Sequence, residues 1–301
     1  MAITKSAEEL LVRTQRLGEA SGTMIHVTPE SADWEYCSLI VQKLASGERW
    51  SHHAEQDEVA LIPLGGTCSV ECGGERWEIG GRRNPFAGPP LGLYLPVGSS
   101  FTVTATAALE LAVAGARATK TFPARLIRPE EIATSIRGAG NAARQINDVL
   151  PPSFPADRLI LVEVYTPSGN WSSYPPHKHD VSNMPIEADV EEIYYYRIDP
   201  VDGFALQRLY THDGSFDAAW TIHDGDLLLV QEGYHAFCMA HGYTGYYLNV
   251  LAGNEPVRTI QPSDDPRYGW VRSTWDPALN AGMSSYQHID ERQNGPAGRQ
   301  G

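Results

Sequence analysis

The sequence predicts an all-β fold of two consecutive β-domains, each a sandwich or barrel, preceded by one short helix. The chain has 301 residues, which is ample for two hydrophobic cores. Its 28 Gly and 21 Pro favour many short strands and turns over long helices. Short apolar runs recur in both halves at a spacing of about 8–12 residues, which is typical of sandwiches and barrels.

The first half begins with a helical pattern over residues 6–17, whose apolar positions are Leu10, Leu11 and Leu17. Strand-like runs follow. The turn Cys72-Gly73-Gly74-Glu75 predicts that two of them form a hairpin. The predicted strands are 37–44, 58–64, 67–71, 75–79, 93–96, 101–106 and 109–115.

The second half repeats this pattern of short strands after a segment with few alternating apolar residues. Its predicted strands are 159–165, 192–198, 203–211, 218–222, 227–230 and 246–251. The similar strand count of the halves indicates an internal duplication. We therefore expect a first barrel at 1–122, a connection at 123–155, a second barrel at 156–255, and a cover and tail at 256–301, with 264–275 folding back.

Composition excludes several classes of protein. The formal net charge of -14 argues against nucleic acid as a partner, because phosphate backbones are met by Lys and Arg surpluses. No apolar run approaches the roughly 18 residues of a membrane span. The charged N-terminus lacks the apolar core of a signal peptide, so a cytoplasmic location is expected.

A candidate metal site lies in the second half. His177 and His179 are two residues apart, so on a strand they share a face. A lone pair of this kind would more often lie in a solvated turn, but Glu192 and His235 can complete a set of three nitrogens and one oxygen. This set suits one divalent ion with open positions and does not distinguish Zn, Mn, Fe, Ni or Co. A closed structural zinc site would more typically use thiolates, so a catalytic site is favoured.

The first half carries a contrasting pattern. His52 and His53 are adjacent, so a strand would point them apart, and Phe101 falls where a ligand histidine is expected. We therefore predict no metal site in the first barrel.

These motifs resemble a known family. The order His-x-His, then Glu, then Gly-x-His on successive strands is similar to the two metal-binding motifs of the cupin superfamily. The strings TPSGNWSSYPPHKHD, EEIYYYR, DGDLLLVQEGYH, YYLNVLAG, GGRRNPFAGPP and RGAGNAARQI resemble the IolB-type 5-deoxy-glucuronate isomerases of inositol catabolism, in the KduI/IolB family.

The resemblance implies a bicupin with one metal ion, held in the second barrel by His177, His179, Glu192 and His235. It also implies an aldose–ketose isomerisation of 5-deoxy-glucuronate to 5-dehydro-2-deoxy-gluconate. The gap between His179 and Glu192 is longer than is common in cupins, which leaves the choice between Glu191 and Glu192 open. Strand phase favours Glu192.

The reaction needs either a proton taken from C2 and one delivered to C1, or a hydride shift. The candidates for proton transfer are Glu191, Tyr194 and Tyr196, whereas alternation places Lys178 on the opposite face. Arg208 and Arg267 are the candidates for the substrate carboxylate, because guanidinium groups match carboxylates in a bidentate manner.

Two other functions use the same residues. A cupin dioxygenase could hold iron with three His and one Glu, and a non-catalytic cupin could bind a sugar at the site. In each case the expected partner is a small molecule, neither nucleic acid nor membrane. A homo-oligomer is favoured, because duplicated cupins tend to bury a face between barrels or subunits.

Overall fold

A computed structural model describes residues 3–14, 21–276 and 278. Within these residues the chain folds into two β-barrels, each built from two facing antiparallel sheets. The predicted all-β, two-barrel class is therefore confirmed.

The elements are short and follow one another closely along the chain. The helices are α1 (Ala7–Leu10) and α2 (Pro29–Ala32), with 3-10 turns at Pro85–Ala87, Pro129–Glu131, Gly140–Ala142 and Gly269–Thr274. The strands of the first half are β1 (Leu11–Val12), β2 (Gly22–Val27), β3 (Cys37–Leu44), β4 (Arg49–His53), β5 (Asp57–Gly65), β6 (Thr67–Cys72), β7 (Glu75–Gly80), β8 (Gly92–Leu95), β9 (Ser100–Ala105), β10 (Leu109–Arg117) and β11 (Arg125–Ile127). Those of the second half are β12 (Ala133–Arg137), β13 (Arg144–Leu150), β14 (Ile160–Thr166), β15 (Trp171–Lys178), β16 (Asp180–Asn183), β17 (Glu187–Asp199), β18 (Ala205–Tyr210), β19 (Asp217–Ile222), β20 (Leu227–Val230), β21 (Tyr234–Met239), β22 (Thr244–Gly253) and β23 (Ser263–Asp264).

Each barrel pairs a larger sheet with a smaller one. In the first barrel the sheet β11-β8-β5-β10-β3-β2 is matched by β4-β9-β6-β7. In the second, β1-β20-β17-β22-β14-β13-β12, with β16 on β17, is matched by β19-β18-β21-β15-β23. The same succession of strands in the two halves agrees with the predicted duplication.

The N-terminal segment belongs structurally to the second barrel. The helix begins at the Ser6 cap, whose side chain forms a capping box with Glu9, but it ends at Leu10 instead of running through the predicted pattern. Leu11 instead pairs with Leu228 at the edge of the second barrel's sheet, which buries its side chain. Leu17 lies outside the described residues. None of the helices in the described ranges has the length and apolarity of a membrane span.

The expected connection at 123–155 also differs from the structure. Strand β11 extends the first barrel's sheet, whereas β12 and β13 extend that of the second. Gln145 and Asn147 of β13 are buried among its apolar residues, and these polar positions remove the alternation by which a strand is usually identified.

The two larger sheets pack against each other and form one apolar layer. In β3, Leu39 and Val41 belong to the core shared with the second barrel, whereas Ile40 faces the interior of the first. Alternation thus gives this strand two buried faces.

Two buried glutamates tie the barrels together, and we call this arrangement the inter-barrel clasp. Glu58 of the first barrel accepts hydrogen bonds from the backbone N–H groups of residues 157–159, at 2.7–2.8 Å. Glu191 of the second barrel accepts them from residues 35–37, at 2.6–2.9 Å. Each carboxylate therefore satisfies three main-chain donors of the opposite barrel.

Candidate metal centre

A cavity of about 600 Å³ opens between the two sheets of the second barrel. This volume suits a small-molecule ligand. Its wall includes His177, His179, Glu192 and Tyr194, together with Arg144 from strand β13.

Three potential ligands converge in this barrel. His179, Glu192 and His235 are buried, and their nearest ligand atoms lie within 4.8 Å of one another. The Nε2 atoms of His179 and His235 are 3.0 and 3.2 Å from the same oxygen, Glu192 Oε2. Strand β17 supplies the glutamate and β21 supplies His235, while His179 directly follows β15.

Main-chain carbonyls orient the imidazole rings. His179 Nδ1 lies 2.7 Å from the Val190 carbonyl, His235 Nδ1 lies 3.3 Å from that of Gly233, and His177 Nδ1 lies 3.1 Å from that of Pro175. Because a carbonyl can only accept, each Nδ1 carries the hydrogen, and Nε2 is left for another partner. This is the arrangement that metal-binding histidines use.

The surroundings of the Nε2 atom of His235 test whether the residues present fit a metal ion. The residue is fully buried, and although Glu192 Oε2 lies 3.2 Å from this nitrogen, no described residue forms a well-directed hydrogen bond with it. A buried polar atom without a partner is rare in folded proteins. A divalent ion bound by His179, Glu192 and His235 would satisfy it, so the residues present fit a metal.

The pKa values of the group follow from burial and from the paired charges. Burial acts to raise the pKa of Glu192, but the hydrogen bonds and the charges of His179 and His235 together outweigh it and hold the pKa well below its usual value. Burial acts to lower the pKa of His179, but its hydrogen bond to Glu192 and the carboxylate charge raise it overall. In His177, burial and the two neighbouring imidazoles lower the pKa well below its ordinary value. The carboxylate is therefore ionised at neutral pH and ready to bind a cation.

His177 lies beside the group of three. It is half-buried, and it pairs in register with His235 across β15 and β21. Its ring centroid is 4.8 Å from that of His235 and 6.3 Å from that of His179.

The two adjacent glutamates point in opposite directions, as strand phase predicted. Glu192 faces the cavity, whereas Glu191 is fully buried in the inter-barrel clasp. Burial raises the pKa of Glu191 to about 7, against the lowering effect of the three backbone N–H groups. Glu191 does not line the cavity, and this corrects its expected role as a catalytic base.

The two candidate tyrosines also separate. Tyr194 lines the cavity, its ring centroid is 5.8 Å from that of His235, and its hydroxyl is 2.9 Å from Ser173 Oγ. Tyr196 is packed between the rings of Tyr194 and Phe237, at centroid distances of 5.8 and 5.6 Å. It does not line the cavity, so its expected catalytic role is corrected to one in the aromatic core.

Neither of the candidate arginines reaches the cavity. Arg208 faces outward from β18 and forms a bidentate pair with Asp217 at 2.9 and 2.7 Å. Arg267 pairs with Asp265 at 2.7 Å. Both guanidinium groups are already neutralised outside the barrel, which corrects their expected role in binding the substrate.

Sequence reasoning missed the cations that do line the cavity, which are Arg137, Arg144 and Arg272. Two of them flank the 3-10 turn Gly140–Ala142, in the segment expected to be a connection. The signal was present in the string RGAGNAARQI, which carried part of the family resemblance. Arg272 and the neighbouring Trp275 come from the segment expected to fold back as a cover.

Comparison with known proteins gives concordant results. The model of the KduI/IolB family matches residues 10–271. The chain is 46% identical over 252 residues to a 5-deoxy-glucuronate isomerase of Geobacillus kaustophilus strain HTA426, covering 83% of this chain and 91% of that relative. For the 5-deoxy-glucuronate isomerase of Bacillus subtilis strain 168 the identity is 37% over 252 residues, covering 82% and 92%.

Solved structures agree at the level of the fold. The crystal structure of an IolB-like protein from Salmonella typhimurium LT2 has a TM-score of 0.83 and 38% identity, covering 87% of this chain and 98% of that one. A mutant of Bacillus subtilis oxalate decarboxylase has a TM-score of 0.57 at 13% identity, covering 83% and 77%. Because its identity is so low, the second likeness bears on the bicupin fold alone.

Proposed function

This chain belongs to the KduI/IolB family, and from that membership we propose that it converts 5-deoxy-glucuronate to 5-dehydro-2-deoxy-gluconate, an aldose–ketose isomerisation in inositol catabolism. The relatives that match over most of their length are 5-deoxy-glucuronate isomerases. The observation that carries the proposal for this chain is the buried group His179, Glu192 and His235 beside a cavity of about 600 Å³.

We propose that this group holds one divalent ion, with His177 as a fourth ligand. The donor set of imidazole nitrogens and one carboxylate suits Zn, Mn, Fe, Ni or Co. When bound, such an ion supplies the positive charge that polarises a carbonyl and the neighbouring hydroxyl. The main-chain carbonyls at Nδ1 keep the rings in place for it.

Tyr194 is assigned the role of a hydrogen-bond donor to the substrate. Burial, and next the charge of Glu192, raise the pKa of this phenol well above its usual value, so it keeps its proton at neutral pH. Its hydroxyl forms a row with Ser173 Oγ, at 2.9 Å, and Tyr247 Oη, at 3.2 Å from the serine. A neutral donor here stabilises negative charge that develops on the substrate oxygen.

The test combines metal analysis of the purified protein with an isomerisation assay on 5-deoxy-glucuronate. Glu192→Gln and Glu191→Gln are a matched pair, since they change adjacent residues in the same way. We expect Glu192→Gln to lose bound metal and to lower turnover by more than about 100-fold, because even a group that only supports a ligand is worth 10–100-fold. Glu191→Gln should keep both.

Two results would refute the assignment. The first is full activity in wild-type protein that contains no metal. The second is a Glu192→Gln variant that keeps metal and rate while Glu191→Gln loses them. Oxygen consumption that accompanies turnover would instead indicate a dioxygenase.

A further inference from the structure

Arg144 is a buried cation in the wall of the cavity. Only 8% of its surface is exposed, and its Nη1 donates a hydrogen bond to the Ala142 carbonyl at 3.2 Å. Its guanidinium carbon lies 5.8 Å from the ring centroid of Trp275. Among the described residues, no carboxylate forms an ion pair with it.

The other cations of the cavity wall differ in this respect. Arg137 lies 3.6 Å from Asp148, and Arg272 pairs with Asp264; the two arginine side chains are 48% and 44% exposed. Elsewhere in the chain the buried Arg82 donates to Glu163 at 2.7 Å, as is usual for a charge removed from water. Within the part of the chain that the structure describes, the buried Arg82 is therefore paired with Glu163, whereas the buried Arg144 has no counter-ion.

The backbone makes room for this guanidinium. Gly138 has a φ of +77°, and a Cβ on it would lie 2.8 Å from Arg144 Nη1 and 2.2 Å from the Ala142 carbonyl oxygen. A side chain at this position would thus displace the arginine. Strand pairing sets Arg137 opposite Arg144, so the turn between them presents the guanidinium at a defined point.

Burial of an unpaired cation costs free energy unless a ligand supplies the opposite charge. The pKa of Arg144 reflects this cost, since burial lowers it. A guanidinium has five N–H donors in a planar fork, and most of those of Arg144 remain for a ligand. A carboxylate matches that fork in charge and in shape.

We propose that Arg144 binds the carboxylate of the sugar-acid substrate and makes the site selective for sugar acids over neutral sugars. The inference rests on the proposed function and deepens it. In 5-deoxy-glucuronate the carboxylate and the aldehyde are at opposite ends of the carbon chain. Holding the carboxylate at Arg144 directs the other end toward His179 and Glu192, which line the same cavity.

The test compares two substrates: 5-deoxy-glucuronate and its neutral counterpart, in which a hydroxymethyl group replaces the carboxylate. For Arg144→Gln we expect kcat/KM on the acid to fall about 10- to 100-fold, the value of a charge-assisted hydrogen bond, mostly through KM. The rate on the neutral aldehyde and the metal content should stay unchanged. Arg208→Gln, in the same barrel but outside the cavity, is the matched control and should change neither rate by more than about twofold.

The variant Arg144→Lys distinguishes loss of the carboxylate contact from a failure of Arg144→Gln to fold. It keeps the charge but not the fork, so part of the preference for the acid should return. Equal losses on both substrates by Arg144→Gln, with Arg144→Lys behaving in the same way, would overturn the proposal. So would an unchanged rate on the acid.

Calorimetric titration with glucuronate and with glucose separates this proposal from the proposed function. If the wild type isomerises neither substrate, the proposed function fails, yet Arg144 should still favour glucuronate over glucose about 10-fold or more. Wild-type protein that binds the two equally would overturn the role of Arg144, whatever the outcome of the isomerisation assay.

Discussion

Replacing Glu58 by Gln should weaken the protein more than any surface substitution, because this carboxylate is a member of the inter-barrel clasp. Glu58 is fully buried, and its two oxygens accept four hydrogen bonds. Oε1 accepts from the N–H groups of Arg158 and Leu159 at 2.7 and 2.8 Å, and Oε2 accepts from the N–H of Asp157 and the hydroxyl of Tyr94 at 2.8 and 2.7 Å.

Glutamine keeps one of these oxygens and places an NH₂ group where the other stood. The two groups that donated hydrogen bonds to the replaced oxygen then face the NH₂ group, which is itself a donor. Each buried donor without a partner costs about 1–3 kcal/mol. The hydroxyl of Tyr94 can turn to accept from the NH₂ group, which recovers part of this loss. We therefore expect the free energy of unfolding to fall by about 2–4 kcal/mol, a large fraction of the roughly 5–15 kcal/mol that is typical of folded domains.

The measurement is urea unfolding followed by tryptophan fluorescence and by circular dichroism. Glu75→Gln is the control, because this glutamate is exposed in β7, and it should change stability by less than about 0.5 kcal/mol. Isomerase activity of the folded Glu58→Gln variant should match the wild type, since Glu58 does not line the cavity. If Glu58→Gln lowers the free energy of unfolding by less than about 1 kcal/mol, the inter-barrel clasp does not stabilise the fold as inferred.

Three further predictions follow from the same structure. Burial raises the pKa of Asp57 to about 6 from 3.8, so its stabilising contribution is complete below a pH of about 4 and is lost as the pH rises through 6. Asp57→Asn should therefore flatten the dependence of unfolding free energy on pH in this range and gain about 1–3 kcal/mol at pH 7 relative to wild type; parallel curves for the two proteins would contradict it. Tyr196→Phe removes a buried hydroxyl that has no hydrogen-bond partner among the described residues, so stability and turnover should hold or improve slightly, and a clear loss of turnover would return Tyr196 to the catalytic group. Adding zinc to metal-stripped protein at about 100 times its Kd should raise stability by about 2.7 kcal/mol, and thermal melts of Glu192→Gln should lack this rise; an equal rise in the variant would place the ion elsewhere.

Local patterns in the sequence were sufficient for the fold class and for part of the site. The spacing of short apolar runs predicted two β-barrels, because strand alternation depends on neighbouring residues alone. The same alternation predicted that Glu192 and Glu191 lie on opposite faces of one strand. The family resemblance was readable for a similar reason, since it lies in continuous strings of residues.

Only the tertiary structure decided what lies opposite each face. Alternation separates Glu191 from Glu192, but the three N–H groups that receive Glu191 come from residues 35–37 of the other barrel. Arg208 and Arg267 were reasonable choices by residue type, yet both are neutralised by aspartates outside the cavity.

The contrast between these arginines and Arg144 has one physical cause. Whether an arginine can bind a substrate depends on its burial and on the counter-ions around it, and both are set by segments far apart in the chain. Arg144 lies in a strand in which buried polar residues interrupt the apolar alternation. This part of the sequence therefore resembled a linker. By itself the sequence determined the two barrels and the spacing of the histidines and Glu192, whereas long-range packing decided which cation of the cavity wall has no counter-ion among the described residues.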